Sequence, residues 1–213
     1  VLIYYARFDT PLPAAGFTRL LERLPAAMQQ KVAAFSRWED AHASLLGKLL
    51  LQRACLDLGL PRDLHQVRYS AFGRPYLEGG PDFNISHSGN LVVCAVSTAG
   101  RTGIDIEWNA PVMLEDFRDH FADGEWQCIT AASDPLPVFY RYWTIKEAVL
   151  KAQGSGFQTS LAALHVTDPA SIFYAGRQWY IKTITGFENY TCHAASQEEG
   201  QHYELREIAL MDL

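Results

Sequence analysis

The sequence has little cysteine and no long apolar run, and each shortage excludes a class of protein. Its 213 residues include four widely spaced cysteines and no C-x-x-C pair, which argues against a zinc ribbon or a redox pair. Leu91–Val96 is among the longest apolar runs, and it is far shorter than a membrane-spanning helix requires. We therefore expect a globular protein with reduced thiols and no membrane association.

Basic charge is also scarce in this sequence. The formal net charge is −6, which argues against nucleic-acid binding because that function needs a basic surface. The N-terminal residues contain no basic stretch with a cleavage site, so no secretion signal is predicted. We expect a cytoplasmic protein, in which a local basic pocket could still hold a small phosphorylated ligand.

Apolar periodicity predicts an α+β protein with a doubled order of elements. Helices are expected at 25–34, 39–58, 112–121, 124–131 and 138–153, with stops at Gly59, Pro61, Gly154 and Gly156. Strands are expected at 2–8, 67–69, 84–86, 91–97, 102–107, 164–166, 179–184, 190–194 and 208–211, those of the tail antiparallel. Helix followed by strands occurs twice, which predicts two similar halves, 1–102 and 103–213, with a ligand cleft between them.

An acidic motif, G-I-D-I-E, spans Gly103–Glu107. Its apolar and acidic residues alternate with the period of a strand, so Asp105 and Glu107 leave the same face, about 6–7 Å apart at their Cα atoms. Carboxylates at that spacing suit Mg²⁺ or Mn²⁺. The alternative is an exposed strand that carries two solvated acids.

A second motif, W-T-I-K-E-A-V-L-K, spans Trp143–Lys151. On a helix, Glu147 and Lys151 share a face, and the alternative interpretation is an ordinary surface ion pair. That alternative leaves Lys146 and the neighbouring aromatic residues unexplained. Because carboxylates in apolar segments are costly unless paired or metal-bound, we expect Asp105, Glu107 and Glu147 to converge on one hard cation that handles phosphate.

A third motif, F-N-I-S-H-S-G, spans Phe83–Gly89. Its serines and His87, together with Arg74 upstream, offer hydroxyl, imidazole and guanidinium groups to phosphate oxygens. A serine hydrolase is the competing interpretation. Adjacent Ser86 and His87 on a strand point to opposite faces, and the sequence has no G-x-S-x-G elbow, which argues against a hydrolase.

These motifs, taken together, resemble the 4′-phosphopantetheinyl transferases of the surfactin-synthetase-activating type. The resemblance extends to E-D-A-H-x-x-L-L-G at Glu39–Gly47, G-R-P at Gly73–Pro75 and F-x-x-x-E at Phe121–Glu125. It implies an α+β fold of two halves related by a pseudo-two-fold axis. Each half would be a helix packed on a small antiparallel sheet, with the ligand cleft between them.

The resemblance also implies a reaction, that of a holo-[acyl-carrier-protein] synthase. A monomeric, Mg²⁺-dependent (or Mn²⁺-dependent) enzyme would move the 4′-phosphopantetheine arm of coenzyme A to a serine of an acyl or peptidyl carrier protein. Adenosine 3′,5′-bisphosphate would leave. The competing functions are a metal-dependent phosphodiesterase or nucleotide hydrolase, which would need further metal ligands, and a non-catalytic module that binds carrier proteins.

The resemblance assigns roles residue by residue. Asp105, Glu107 and Glu147 match the metal ligands, and Glu147 is the candidate base, with Glu125 as an alternative route for the proton. The residues that match phosphate or nucleotide contacts are Lys31, Arg37, Ser44, Arg74, Ser86, His87, Lys146 and Lys151, of which His87 and Lys151 also count as catalytic. An apolar and basic carrier-docking patch is expected beside the cleft, built partly from 117–128.

Overall fold

Two four-stranded sheets and a short hairpin organise the part of the chain that the computed structural model describes, residues 1–60, 63–154 and 160–213. The strands are β1 (Leu2–Arg7), β2 (Val67–Tyr69), β3 (Pro75–Leu77), β4 (Asp82–Ser88), β5 (Leu91–Ser97), β6 (Thr102–Trp108), β7 (Ser171–Tyr174), β8 (Arg177–Thr183), β9 (Tyr190–Ser196) and β10 (Glu204–Glu207). The first sheet has the order β10–β1–β5–β4, the second has the order β6–β9–β8–β7, and β2 pairs with β3.

One long helix covers each sheet. The helices are α1 (Ala14–Leu21), α2 (Ala26–Ala33), α3 (Trp38–Asp57), α4 (Asp123–Thr130) and α5 (Pro135–Gln153). Helix α3 packs on β1 and β5, and helix α5 packs on β6 and β9. The predicted apolar stripe of α3 is fully buried at Leu45, Leu46, Leu49 and Leu50, whereas Leu56 is 40 % exposed. The predicted α+β class with small, mainly antiparallel sheets is confirmed.

The tail of the chain differs from the prediction. The expected strand at 208–211 is wrong: β10 lies at Glu204–Glu207, and a 3₁₀ turn covers Leu210–Asp212. Strand β10 also runs parallel to β1, whereas an antiparallel tail was expected. The charged sequence E-L-R-E of β10 suits an exposed edge strand and carries no apolar signal. The predicted boundary at residues 102 and 103 falls within β6 and stays a prediction.

Five other elements depart from the expected pattern. The segment expected as a helix at 112–121 is a 3₁₀ helix at Leu114–His120, and no strand forms at 164–166 within the described chain. Helix α1 and strands β3 and β7 were missed; they are short, with eight, three and four residues, so their periodicity is weak. Gly154 ends α5 in the left-handed conformation, with φ of 78°, as glycine does at helix ends. The predicted stops at Pro61 and Gly156 lie outside the described residues.

Polar side chains join the two sheets along β4 and β6. Alternate residues of β4 accept hydrogen bonds from backbone N–H groups of β6, and no strand-to-strand ladder is described between the two. The bonds run from Thr102 N to Asp82 Oδ2 (2.8 Å), from Ile104 N to Asn84 Oδ1 (2.9 Å), from Ile106 N to Ser86 Oγ (3.4 Å) and from Trp108 N to Ser88 Oγ (3.0 Å). This side-chain ladder holds the third motif against the first.

Gly103 allows helix α5 to lie directly on β6. A Cβ at this position would stand 2.1 Å from the Ala148 carbonyl oxygen and 2.5 Å from the Ala152 nitrogen. Both contacts are far below van der Waals distance and involve helix backbone, which cannot move aside without displacing the helix. The glycine of the first motif therefore sets the spacing at which the residues of α5 face those of β6.

Candidate active site

A cleft of about 550 Å³ opens where α5 faces the β2–β3 hairpin and β4. Phe72, Arg74 and Asn84 line it on one side, and Glu147 and Lys151 line it on the other. The second and third motifs therefore meet at one concavity, the setting in which small-molecule sites commonly lie.

An ion pair between Asp105 and Lys151 lies at this cleft. The Lys151 Nζ is 2.5 Å from Asp105 Oδ1 and 2.9 Å from Ser86 Oγ. Ser86 in turn donates to the same carboxylate oxygen at 2.9 Å. Asp105 is 2 % exposed, yet its other oxygen, Oδ2, is buried without a hydrogen-bond partner in the described structure. A buried carboxylate oxygen without a donor is costly, which makes this atom a candidate ligand for a cation.

Two further carboxylates surround the Asp105–Lys151 pair. Burial, and then the charge of Asp105, raises the pKa of Glu107 to about 7, against the opposing effects of Ser88 and Lys151. Burial and Asp105 also raise the pKa of Glu147. The pKa of Lys151 is raised because the combined charges of Asp105, Glu147 and Glu107 outweigh its burial. Three acids around one lysine leave a local excess of negative charge.

The predicted metal ligands can be compared with this arrangement. Within the described ranges, no three Asp, Glu, His or Cys side chains are gathered as a metal-binding group. The donor chemistry nevertheless fits a hard cation: the site offers carboxylate oxygens, one of them buried and unpaired, with a charge excess that Lys151 does not neutralise. The assignment of Asp105, Glu107 and Glu147 as ligands stays a prediction.

Lys146 and Glu125 have partners within the protein that compete with their predicted roles. Lys146 is fully buried, and its Nζ contacts Glu125 Oε2 at 2.6 Å and the carbonyl oxygens of His120 and Leu161, each at 3.1 Å. An ammonium group has three hydrogens, so its donors are all in use. A phosphate contact for Lys146 stays a prediction, and these three contacts would have to be given up for it.

Glu125 is equally engaged. Its Oε2 also accepts from the Ala122 amide and its Oε1 accepts from the Val166 amide, both at 2.8 Å. The side chain therefore caps the start of α4 and ties it to the chain beyond the cleft. Glu125 is 5 % exposed and neither it nor Lys146 lines the cleft, so the alternative proton route through Glu125 has no structural support.

Arg74 was expected to contact phosphate and is found in a network within the protein. Its guanidinium forms a bidentate pair with Asp82, at 2.8 and 2.7 Å. Nε donates to the Lys151 carbonyl at 2.9 Å, and Nη2 donates to the Thr102 carbonyl at 3.0 Å. Arg74 therefore ties the hairpin to β4, β6 and the end of α5. A phosphate contact for Arg74 stays a prediction, and these bonds would compete with it.

A basic group on α2 and α3 includes two of the predicted nucleotide contacts, Lys31 and Ser44. Lys48 Nζ donates to Ser44 Oγ at 2.7 Å and to the Ser44 carbonyl at 2.8 Å. Burial, with a further contribution from Lys31, lowers the pKa of Lys48 to about 8. Lys31 itself lies 4.3 Å from the centre of the Tyr69 ring. Two lysines that repel each other beside a hydroxyl offer positive charge and hydrogen-bond donors to an anion.

The remaining predicted contacts, Arg37 and His87, line a second cavity, of about 460 Å³, between the start of α3 and the end of β4. Loss of water around its ring, and then the charge of Lys151, lowers the pKa of His87, and Lys48 acts in the same direction. His87 is therefore under the influence of both the cleft and the basic group. Asp40 lines the same cavity and opposes the effect of the lysines on His87.

Comparisons with known proteins identify the family. The profile described as "4'-phosphopantetheinyl transferase, N-terminal" matches residues 10–99, and that described as "4'-phosphopantetheinyl transferase superfamily" matches residues 101–203. The 4'-phosphopantetheinyl transferase Sfp of Bacillus subtilis is 32 % identical over 77 % of this chain and 75 % of its own length. This chain belongs to the 4′-phosphopantetheinyl transferase family.

Other family members agree with that placement. The 4'-phosphopantetheinyl transferase gsp of Aneurinibacillus migulanus is 31 % identical over 79 % of this chain and 75 % of its own length. HetI of Nostoc is 38 % identical over 54 % of each chain. The family and the 4′-phosphopantetheinyl transferase activity predicted from the motifs are therefore confirmed.

Sequence reasoning named Ser88 only as a hydroxyl for phosphate oxygens, and it singled out neither Lys48 nor Asp82 as a site residue. Lys48 follows Ser44 by one helical turn, so its place beside that hydroxyl follows from helical spacing. On β4, Ser88 lies two residues after Ser86, and Asp82 lies four residues before it. Because side chains alternate along a strand, all three leave the same face. No sequence feature indicated that this face of β4 meets β6.

Proposed function

We propose that this chain transfers the 4′-phosphopantetheine arm of coenzyme A to a serine hydroxyl of an acyl or peptidyl carrier protein. The observation that supports the proposal most directly is the excess of carboxylates around Lys151 at the cleft, with Asp105 Oδ2 buried and unpaired. Such a group suits a cation and a diphosphate together, since each neutralises charge that the other brings.

Asp105, Glu107 and Glu147 would hold the cation, Mg²⁺ or Mn²⁺. When bound, it would neutralise the charge that builds on the leaving phosphate. Lys151, which lines the cleft, would bind a phosphate oxygen of the donor there. Ser86 would then orient Lys151 towards either the carboxylate or the phosphate.

Glu147 is the proposed base for the carrier serine. The serine oxygen bonds to the phosphorus of the phosphopantetheine, the bond from that phosphorus to the bridging oxygen breaks, and adenosine 3′,5′-bisphosphate leaves. The serine proton passes to Glu147, directly or through water. Burial and Asp105 raise the pKa of Glu147 in the absence of a cation. Because a bound cation lowers the basicity of a carboxylate, the base role requires Glu147 to be the weakest of the three ligands.

The basic groups outside the cleft would bind the nucleotide end of coenzyme A. Lys48, which bonds to Ser44 and is repelled by Lys31, would form an anion site with these two residues on α2 and α3. Arg37 and His87 would contribute from the second cavity, because His87 lies under the influence of both Lys48 and Lys151. Bound coenzyme A would then extend along the surface from α3 to the cleft.

The carrier protein would dock on the aromatic group around the 3₁₀ helix Leu114–His120 and α4. Phe117 packs edge-on against Phe139 and Trp143, and Met113 beside them is 73 % exposed. The exposed Arg141 lies over the Tyr142 ring and would attract an acidic carrier. Apolar contact with a basic rim gives an acidic enzyme local complementarity to acidic partners.

The proposal includes a monomeric state and a cytoplasmic location. All four cysteines are free, which suits a reducing compartment. Within the described residues, the helices are too short or too polar to cross a bilayer.

Incubation with coenzyme A, Mg²⁺ and a panel of apo-carriers, read by intact mass, tests the function. We expect one carrier or more to gain the mass of one phosphopantetheine, and the gain to disappear when its acceptor serine is replaced by alanine. Release of adenosine 3′,5′-bisphosphate from coenzyme A without any carrier would contradict transfer and indicate a hydrolase.

A further inference from the structure

Ser88, at the end of β4, makes two hydrogen bonds that link backbone and carboxylate. Its Oγ accepts from the Trp108 amide at 3.0 Å and donates to Glu107 Oε2 at 2.7 Å. A hydroxyl has a single proton. Because the amide occupies a lone pair of the oxygen, that proton is directed at the Glu107 carboxylate.

Ser86 repeats this arrangement two residues earlier. It accepts from the Ile106 amide at 3.4 Å and donates to Asp105 Oδ1 at 2.9 Å. In both cases the serine bonds to the amide of one residue of β6 and to the carboxylate of the residue before it. The period of the strands therefore gives each of the two acids of β6 its own hydroxyl donor from β4.

The consequence of the two serines is that one oxygen of each acid is fixed and the other is left for a different partner. Asp105 Oδ2 is buried without a partner, and Glu107 Oε1 makes no hydrogen bond in the described part of the chain. The two other polar side chains of β4 in the ladder, Asp82 and Asn84, hold the sheets together without bonding to a carboxylate of the cleft.

We propose that Ser88 is a positioning residue that sets the orientation of the Glu107 carboxylate for cation binding. The inference rests on the proposed function, in which Glu107 is a ligand. Hydrogen-bond donors to ligating carboxylates fix ligand orientation, and their loss commonly weakens metal affinity or activity 10- to 100-fold. Ser88 also lines the second cavity, where the nucleotide end of coenzyme A is placed, so its effect on the cation is read without coenzyme A.

The test is Mn²⁺ affinity of the purified full chain, measured by electron paramagnetic resonance of the free ion, with the Mg²⁺ dependence of transfer in parallel. Ser88→Ala should weaken Mn²⁺ binding about 10- to 100-fold and raise the Mg²⁺ concentration for half-maximal transfer, with most of kcat recovered at saturating Mg²⁺. Ser88→Thr keeps the hydroxyl and should restore both values.

Two controls separate positioning from general damage. Ser97→Ala deletes a buried serine hydroxyl of β5 that bonds to the Ala99 amide and should leave Mn²⁺ affinity unchanged. Ser88→Cys keeps the side-chain volume with a weak donor and should behave like Ser88→Ala, so it replaces that variant if alanine impairs folding.

Mn²⁺ affinity of Ser88→Ala or Ser88→Cys equal to that of the wild type would overturn the inference, as would a folded Ser88→Thr that binds as poorly as alanine. A wild-type chain that loads carriers yet binds no Mn²⁺ would also overturn it while leaving the function intact. A wild-type chain that binds Mn²⁺ more tightly than Ser88→Ala but loads no carrier would instead remove the proposed function.

Discussion

Helix α5 carries two lysines, five residues apart, that pair with carboxylates in opposite ways. Lys146 is fully buried and all its donors are in use, with Glu125 and two carbonyl oxygens. Lys151 is 29 % exposed at the cleft and is surrounded by more acids than it can neutralise. The charges and hydrogen bonds of the lysine–carboxylate pair are therefore balanced at Lys146, whereas carboxylates are in excess at Lys151.

The difference teaches how to separate a structural ion pair from a functional one. At Lys146, donors and acceptors match, so the group has nothing to offer a ligand and contributes to holding α4 and α5 together. At Lys151, Asp105 Oδ2 has no partner and burial with Asp105 raises the pKa of Glu107. An unpaired buried oxygen and a raised carboxylate pKa are typical of a functional site, where a bound ligand offsets their cost in stability.

The largest expected effect is that of Asp105→Ala on transfer. Removing a preorganised charged group from a site commonly lowers turnover by about 100- to 1,000-fold, and Asp105 is central to the incomplete group. We expect that loss, read by intact mass of the carrier, with circular dichroism unchanged. A near-wild-type transfer rate would show that the unpaired oxygen has no catalytic role.

Lys151→Met should follow, with about a hundredfold loss of turnover, because it removes a charged donor to the phosphate. The unfolding free energy should also fall, because the substitution leaves the buried Asp105 carboxylate without its cation. The loss should be smaller than at Lys146, because Lys151 is 29 % exposed whereas Lys146 is fully buried and also bonds to two carbonyl oxygens. Initial rates and urea unfolding on the same preparation measure both. Equal stability losses at the two lysines would remove the distinction drawn between them.

Lys146→Met should act on stability. Removing one partner of a buried ion pair commonly costs about 3–5 kcal/mol of unfolding free energy, while the folded fraction should keep its transfer rate. The double variant Glu125→Gln/Lys146→Met should recover much of the loss, because no uncompensated charge stays buried. A stable Lys146→Met chain with impaired transfer would support the predicted phosphate role.

Glu107→Gln tests whether the excess negative charge at the cleft makes the stability of the chain depend on pH. Burial and Asp105 raise the pKa of Glu107 from 4.5 to about 7, so between these values the native chain keeps a proton that the unfolded chain releases. The stability from this group is therefore fully present below pH 4.5 and is lost as pH rises through about 7. Relative to wild type, the variant should gain stability between pH 5 and pH 8, roughly the span of that window.

Urea unfolding at the two pH values, without divalent cations, measures that change. Glu22→Gln, at an exposed position of the first helical region, serves as the matched control and should parallel the wild type. If the unfolding free energy of Glu107→Gln changes with pH as that of the wild type does, the Glu107 carboxylate does not destabilise the native state.

Arg141→Glu should have the smallest effect. The residue is exposed on α5 beside Tyr142 and outside both ion pairs, so stability and kcat should not change. Association with an acidic carrier should slow and lose its dependence on salt, because a rim charge acts mainly on the encounter rate. Stopped-flow association at two salt concentrations measures this; an unchanged rate would place docking elsewhere.

The motifs predicted which acidic and basic residues lie at the cleft better than they predicted the hydrogen-bond and ion-pair partners of those residues. The alternation in Gly103–Glu107 predicted a strand with both acids on one face, and the spacing of Glu147 and Lys151 predicted a shared helix face. The buried partners of Lys146 were not predicted, because sequence spacing shows which residues are neighbours on a helix and not which face of the helix is buried. Only packing against Glu125 and two carbonyl groups decides that.

The sequence by itself determined the family, the two covering helices and the acids on one face of β6, because these depend on local periodicity and on motifs in a fixed order. Tertiary structure decided which carboxylates are satisfied, that β10 runs parallel to β1, and that β4 bonds to β6 through side chains. Those features join residues far apart in the chain. Whether a polar group finds a partner is a property of the assembled neighbourhood, which no local pattern encodes.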